Sequence, residues 1–195
     1  MDVLIGIPTR GKVEHGVSTF ISMSPYVHYF SPNTISVETA RIDICNHFLL
    51  HQYDYLFFLD DDVVPPDGCI DKLVSYNKEI ISANYPILRR DGIHSNCHIM
   101  NDYMPYDMDG LSEVDVCGLG ACLIARDVIA KAIERGGFDM QYEVGGLFKG
   151  EDVAFCDTVK ALGYKIYCDF SLKCEHIKKV SLKQMCNFAR ERMII

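Results

Sequence analysis

One run constrains this chain more than any other: Tyr53-Asp54-Tyr55-Leu56-Phe57-Phe58-Leu59-Asp60-Asp61-Asp62-Val63-Val64-Pro65-Pro66. An apolar, aromatic-rich stretch leads straight into three consecutive carboxylates, and two prolines stop it. It is apolar on both faces and of strand length, so it reads as a buried strand. Three acids at the end of such a strand repel one another and are costly to desolvate. A cation is expected beside them, and a hard divalent ion with oxygen ligands meets that demand. In open α/β sheets ligands bind beyond the carboxyl ends of the strands, which puts Asp60 and Asp62 at such a crevice. A solvated turn or a helix cap would use the same acids, and the run alone leaves both readings open.

The remaining pattern fits a sheet of that kind. Of 195 residues 49% are apolar, enough for one domain with a substantial core. Val3-Leu4-Ile5-Gly6-Ile7 is a second continuous apolar run, and Pro8-Thr9-Arg10-Gly11 forms the polar turn after it. Gly11 to Asn33 lacks periodicity and is expected to be a mobile loop holding at most a short strand. Ser36 to Gln52 fits a helix capped by Ser36, with Ile42, Cys45, Phe48 and Leu49 on one face. Asp67 is expected to cap a short helix carrying Ile70, Leu73 and Val74. Glu79 to Tyr85 is a strand, and residues 86–112 are expected to form a long functional or mobile loop. Glu113 to Cys117 and Ala121 to Ala125 read as strands around Gly118-Leu119-Gly120. Asp127 to Arg135 is a helix ended by Gly136-Gly137, and Asp139 to Lys149 is irregular. Glu151 to Leu162 is the most regular helix, with Val153, Cys156, Val159 and Leu162 on one face and Gly163 as its stop. Tyr164 to Cys168 follows as a strand. Strands alternating with helices predict an α/β sandwich around a mainly parallel sheet.

Charge and cysteines narrow the function classes. The net charge is −8, and residues 1–172 carry 13 Lys/Arg against 25 Asp/Glu. That acidic body argues against a nucleic-acid partner, whose phosphates need clustered basic residues. Residues 173–195 reverse the balance, with six basic residues against two acidic. Nine cysteines, odd in number and without a CxxC pair, point to a reducing, cytoplasmic setting rather than a disulfide framework. Met1 to Gly6 begins as a strand and has no signal-peptide character, and no apolar run is long enough to span a membrane.

Several of these pieces together resemble a family. Leu59-Asp60-Asp61-Asp62 after an aromatic strand resembles the Asp-x-Asp motif of GT-A fold glycosyltransferases, in the broad family 2-like group. Arg41 in the preceding helix, the run Val116 to Arg126, then Gly150-Glu151-Asp152-Val153-Ala154-Phe155-Cys156, and a final Glu175-His176 follow in that family's order. The resemblance covers residues 2–176 and implies a Rossmann-type α/β/α sandwich forming one catalytic domain, 1–176, with a basic tail, 177–195. It implies transfer of a sugar from a nucleotide-diphosphate sugar, UDP-sugars favoured, to a hydroxyl acceptor (glycan, lipid-linked or protein), with inversion. By similarity Asp62 and His176, with Asp60 near the metal or the donor ribose, would hold Mn2+ or Mg2+. Pro8, Thr9, Arg10, Arg41, Asp60 and Asp61 would contact the donor, and Gly118 and Gly120 would let the backbone approach its sugar. Asp152 would be the general base and Glu151 would orient the acceptor, an order that could be swapped; the helix N-terminus should lower the Asp152 pKa.

The chain departs from the family in its short length, in the unusual loop after Pro8-Thr9-Arg10, and in lacking an acceptor-binding extension. The Val180 to Arg192 segment fits an amphipathic helix with Leu182, Met185, Phe188 and Ala189 on one stripe. Such a stripe packs on its own domain, pairs with another subunit as a homo-oligomer, or rests on an anionic membrane surface at the inner face. Two other function classes remain: a nucleotide-sugar-binding module without transfer, and a nucleotidyltransferase. The latter usually needs a glycine-rich basic loop after the first strand, of which Pro8-Thr9-Arg10-Gly11-Lys12 is a poor version.

Overall fold

The computed structural model describes residues 1–32, 36–89, 91–139, 141–142 and 148–183. In chain order the elements are β1 (Val3–Pro8), α1 (His15–Met23), β2 (Val27–Ser31), α2 (Val37–Leu50), β3 (Tyr55–Leu59) and β4 (Val63–Val64). Then come α3 (Cys69–Ser75), β5 (Ile80–Asn84), β6 (Pro86–Arg89), β7 (Gly92–Ile99), β8 (Asp102–Pro105), β9 (Leu111–Val114) and β10 (Val116–Cys117). The chain continues through β11 (Ala121–Ala125), α4 (Arg126–Glu134), β12 (Gln141–Tyr142), β13 (Phe148–Lys149), α5 (Glu151–Ala161), β14 (Ile166–Lys173) and β15 (Glu175–His176).

A seven-stranded sheet in the order β2-β1-β3-β11-β5-β14-β9 forms the middle layer. Five of its strands run one way, while β11 and β9 oppose them. Successive side chains of a strand point to opposite faces, and β1 and β3 split accordingly. Leu4, Leu56 and Phe58 join Ile44 and Phe48 of α2, Val128 and Ile129 of α4, and Phe155 and Val159 of α5. Val3, Ile5, Ile7, Phe57 and Leu59 join Val17 and Ile21 of α1 and Ile70 and Leu73 of α3. The result is a three-layer α/β/α sandwich. Gly6 lets α2 lie close to β1, since a Cβ there would sit 2.3 Å from Ile44 Cγ2.

The helix expected from Ser36 is present, and the Ser36 hydroxyl caps it by accepting the Thr39 N–H at 3.1 Å. Its buried face is Ala40, Arg41, Ile44, Cys45 and Phe48, a slightly rotated stripe with Ile42 and Leu49 at its margins. On α5 the buried set is Ala154, Phe155, Cys156 and Val159, with Val153 and Leu162 at its edge. Three expectations need correction. The loop expected over Gly11 to Asn33 holds a helix, α1, besides the short strand allowed for, β2. The loop expected over 86–112 is largely strand, with β6, β7 and β8 forming an antiparallel sheet that β10 joins. Asp67 does not cap α3; Gly68, in the left-handed region at φ 71°, takes that position.

The eight cysteines among the described residues are free and buried. No helix among the described residues is long and apolar enough to cross a membrane. The amphipathic stripe expected over Val180 to Arg192 lies outside the described residues beyond Lys183.

Candidate functional site

β1 and β3 are adjacent and parallel, so the turns that leave their carboxyl ends emerge side by side. Local hydrogen bonds shape both. The Thr9 hydroxyl accepts the Gly11 N–H at 3.1 Å, and the Glu14 N–H reaches the Asp61 carbonyl at 2.9 Å. The Asp60 N–H donates to the Gly120 carbonyl at 2.9 Å, which anchors the acidic turn to the approach of β11. Above these turns lies a cavity of about 530 Å³, lined by Pro8, Thr9, Arg10, Arg41, Asp60, Asp61, Asp62 and Glu151 among others. Lys12 and Lys178 line it as well.

Arg41 is the electrostatic centre. It projects from the buried face of α2, is only 2% exposed, and packs its guanidinium 5.0 Å from the Phe58 ring centroid. Its Nη2 donates to Asp60 Oδ1 at 2.9 Å and its Nε to Glu151 Oε1 at 3.4 Å. Nη1 has no hydrogen-bond partner among the described residues. Burial opposes the charge, yet Asp60, Glu151, Tyr85 and Asp152 more than offset it and keep the guanidinium protonated. A buried donor without an acceptor is costly, and such exceptions often mark a place that a ligand completes.

The acidic turn divides its work. Burial raises the Asp61 carboxyl, as does the charge of Asp62, while hydrogen bonds from Thr9 and the Arg10 backbone resist that rise. Burial pushes Asp62 up too, but His176 and Lys178 together hold it below the usual carboxylate range. His176 Nε2 lies 3.4 Å from Asp62 Oδ1, and Lys178 Nζ lies 2.6 Å from Asp62 Oδ2. The pairing of β15 with β4 brings them there, and the Ile177 N–H reinforces it by donating to the Asp62 carbonyl at 2.8 Å.

These residues fit a divalent ion in part. His176 Nδ1 donates to the Pro86 carbonyl at 2.7 Å, which leaves Nε2 to face Asp62. Ligating histidines are oriented by such a bond on the other ring nitrogen. Carboxylate plus imidazole suits Mn2+ somewhat better than Mg2+, which prefers oxygen alone. Asp60, expected as a third ligand, is engaged by Arg41 instead, and no cluster of three His, Cys, Asp or Glu is gathered among the described residues.

Glu151 and Asp152 open α5, the one lining the cavity and the other set back from it. The Asp152 carboxylate accepts its neighbour Val153 N–H at 2.8 Å. The helix N-terminus was expected to lower its pKa; the structure reverses the sign. Burial raises it first and the Glu151 charge second, and the Val153 amide and Arg41 do not compensate. Desolvation in the interior outweighs a terminal dipole.

Gly118 and Gly120 also differ from expectation, since neither lines the cavity. A Cβ on Gly118 would meet the Tyr85 hydroxyl at 2.1 Å, and one on Gly120 would meet Asp60 Oδ2 at 2.6 Å. They give room to protein side chains. Tyr85, which the sequence reading did not single out, accepts the Gly120 N–H at 3.2 Å and meets the His176 ring edge-on at 5.3 Å. Lys178 was missed too; its only signal was its position two residues after His176.

No protein-family model matches the chain, and neither does any curated protein sequence. Solved structures do. The crystal structure of A197 from STIV superposes with a TM-score of 0.69 at 26% identity, over 92% of this chain and 87% of that one. The crystal structure of GalNAc-T7 with UDP, GalNAc and Mn2+ superposes with a TM-score of 0.57 at 10% identity. That alignment covers 100% of this chain, which spans 48% of the longer protein. At so low an identity the second likeness speaks for architecture alone: the chain has a glycosyltransferase-like, GT-A-like α/β fold.

Proposed function

We propose that this protein is a nucleotide-sugar-dependent glycosyltransferase that moves a sugar, from a UDP-sugar by preference, to a hydroxyl acceptor. The observation that carries the reading is Arg41, buried at a cavity wall with no partner for Nη1 among the described residues, where β1 and β3 deliver Thr9, Arg10 and the acidic turn. A nucleoside diphosphate offers that cavity both an anion for its cationic side chains and a ligand for a shared metal. A Mn2+ or Mg2+ held by Asp62 and His176, with Asp60 near, would supply Lewis-acid neutralisation of the departing diphosphate.

The chain's own residues supply the rest. Arg10, Lys12 and Arg41 bind the diphosphate, while Thr9 and Asp61 shape the turn under the nucleoside. Glu151 orients the acceptor hydroxyl, held in place by Arg41. Asp152 takes the acceptor's proton as its oxygen attacks the anomeric carbon and the bond to the diphosphate oxygen breaks. A carboxyl raised by burial is a stronger base than an ordinary aspartate, and proton transfer of this kind contributes roughly 10²–10⁴-fold. One attack on one face gives inversion.

Calorimetric titration of UDP, GDP, CDP and dTDP, each with and without Mn2+, tests the reading on wild type and Asp62→Ala. One diphosphate should bind with Mn2+ and far more weakly without it, and Asp62→Ala should lose that dependence. If no nucleotide binds, or if binding ignores both metal and Asp62, the reading is wrong. The set-back position of Asp152 favours, as a second reading, a module that binds nucleotide sugar without transferring it. Turnover with glycan, lipid-linked and protein acceptors separates the two.

A further inference from the structure

Asp62 carries a cation already. Lys178 Nζ lies 2.6 Å from Oδ2, while His176 Nε2 stands 3.4 Å from Oδ1. We infer that Lys178 is a built-in counter-cation which a divalent ion must displace from Asp62, so that metal and diphosphate load the site cooperatively. The inference rests on the function proposed above and adds to it a competitor and a coupling.

Two cations cannot share the front of one carboxylate without repelling each other, and removing both from water makes the repulsion worse. The lysine is the one built to leave. Its side chain is 58% exposed, on a flexible four-carbon stem, and exposed ion pairs of this kind are weak. Its backbone is held, since the Ile177 N–H donates to the Asp62 carbonyl at 2.8 Å. The ammonium therefore swings while its anchor stays. It already lines the cavity with Arg10 and Lys12, so a diphosphate bound there is an anion within reach of the displaced charge. Metal alone strips Lys178 of its partner and gives nothing back. Metal with diphosphate replaces that partner. Each ligand then strengthens the other by the same factor, as linkage requires.

The test uses the full chain as wild type, Lys178→Met, Lys178→Arg and Asp62→Asn. The probes are Mn2+ alone, followed by the electron paramagnetic resonance of free Mn2+, and UDP titrated calorimetrically with and without Mn2+. Lys178→Met should bind Mn2+ alone up to about fivefold more tightly than wild type, the most that displacing an exposed ion pair costs and the low end of the usual coupling range. Its gain in UDP affinity on adding Mn2+ should shrink by a similar factor, and Lys178→Arg should restore wild-type behaviour. If Asp62→Asn loses Mn2+ but Lys178→Met binds it no better than wild type, the lysine inference is overturned and the metal site stands. If Asp62→Asn binds Mn2+ as wild type does, the metal site itself falls, and this inference with it.

Discussion

Replacing Arg41 with methionine isolates what holds the cavity wall together. Met keeps much of the apolar stem but removes the guanidinium, and with it the contact with the Phe58 ring. Asp60 and Glu151, with side chains 29% and 15% exposed, then face each other without a cation. Breaking a buried ion pair by removing one partner costs about 3–5 kcal/mol, because the other charge stays behind. Asp60 keeps some solvent access, so the lower end applies, about 3 kcal/mol. For a chain of this size that corresponds to a fall in Tm of about 6–12 °C. Urea unfolding should show the same loss in midpoint with the slope unchanged, since the surface exposed on unfolding is the same. The decisive comparison is the neutral variant, Arg41→Met with Asp60→Asn and Glu151→Gln. It should regain more than half of the lost stability, because the burden comes from stranded carboxylates and not from lost packing. If the single variant loses less than about 1 kcal/mol, the network is no better than a surface pair. If the neutral variant is no more stable than the single one, the electrostatic account is refuted.

Asp152 predicts a pH dependence. Its carboxyl binds a proton more tightly folded than unfolded, so stability falls as pH rises from the ordinary 3.8 through the raised folded pKa. Asp152→Asn removes that loss, and its Tm advantage over wild type should grow with pH across this window and then level off. With transfer activity in hand, the acid limb of kcat/KM should lie above the ordinary aspartate range and disappear in Asp152→Asn; a limb at the ordinary value would contradict a buried base. Gly120→Ala drives a methyl into Asp60 Oδ2 at 2.6 Å and the Tyr85 hydroxyl at 3.0 Å. It should weaken Mn2+-dependent nucleotide binding at least tenfold while lowering stability only modestly, and unchanged binding would show that the Asp60 position does not matter to the donor.

What the sequence revealed follows from which forces leave a trace in hydropathy. β1 and β3 were legible because both faces are buried and every residue is apolar. The need for a cation beside the acidic turn was legible because surplus carboxylates repel one another; that Arg41 meets part of it was not, since Arg41 was expected to contact the donor. The strands over 86–112 were not, because part of their burial is polar. Asn96 donates to the Ser82 hydroxyl at 3.1 Å and accepts the Tyr85 N–H at 3.0 Å, and Ser95 and Asn96 are buried. A hydrogen-bonded interior does not show as an apolar stripe. α1 was hidden because Gly11 to Asn33 lacks apolar periodicity; Gly16 lies at its close approach to Val64, where a Cβ would stand 2.7 Å from Val64 Cγ2. The sign of the Asp152 shift was misread because a helix terminus is local and visible in sequence, whereas burial is not.

The short ladder between β15 and β4 has a consequence for how the protein comes into being. Asp62 meets Lys178 across 116 residues of chain, and His176 arrives by the same ladder. Loop closure over such a span is unfavourable until other contacts have shortened it. The main sheet must therefore form before Lys178 and His176 can reach Asp62. During synthesis the acidic turn leaves the ribosome long before Lys178 does, and it waits as an open carboxylate cluster. Competence to hold a ligand there arrives only with β15, once the main sheet has brought it within reach of β4.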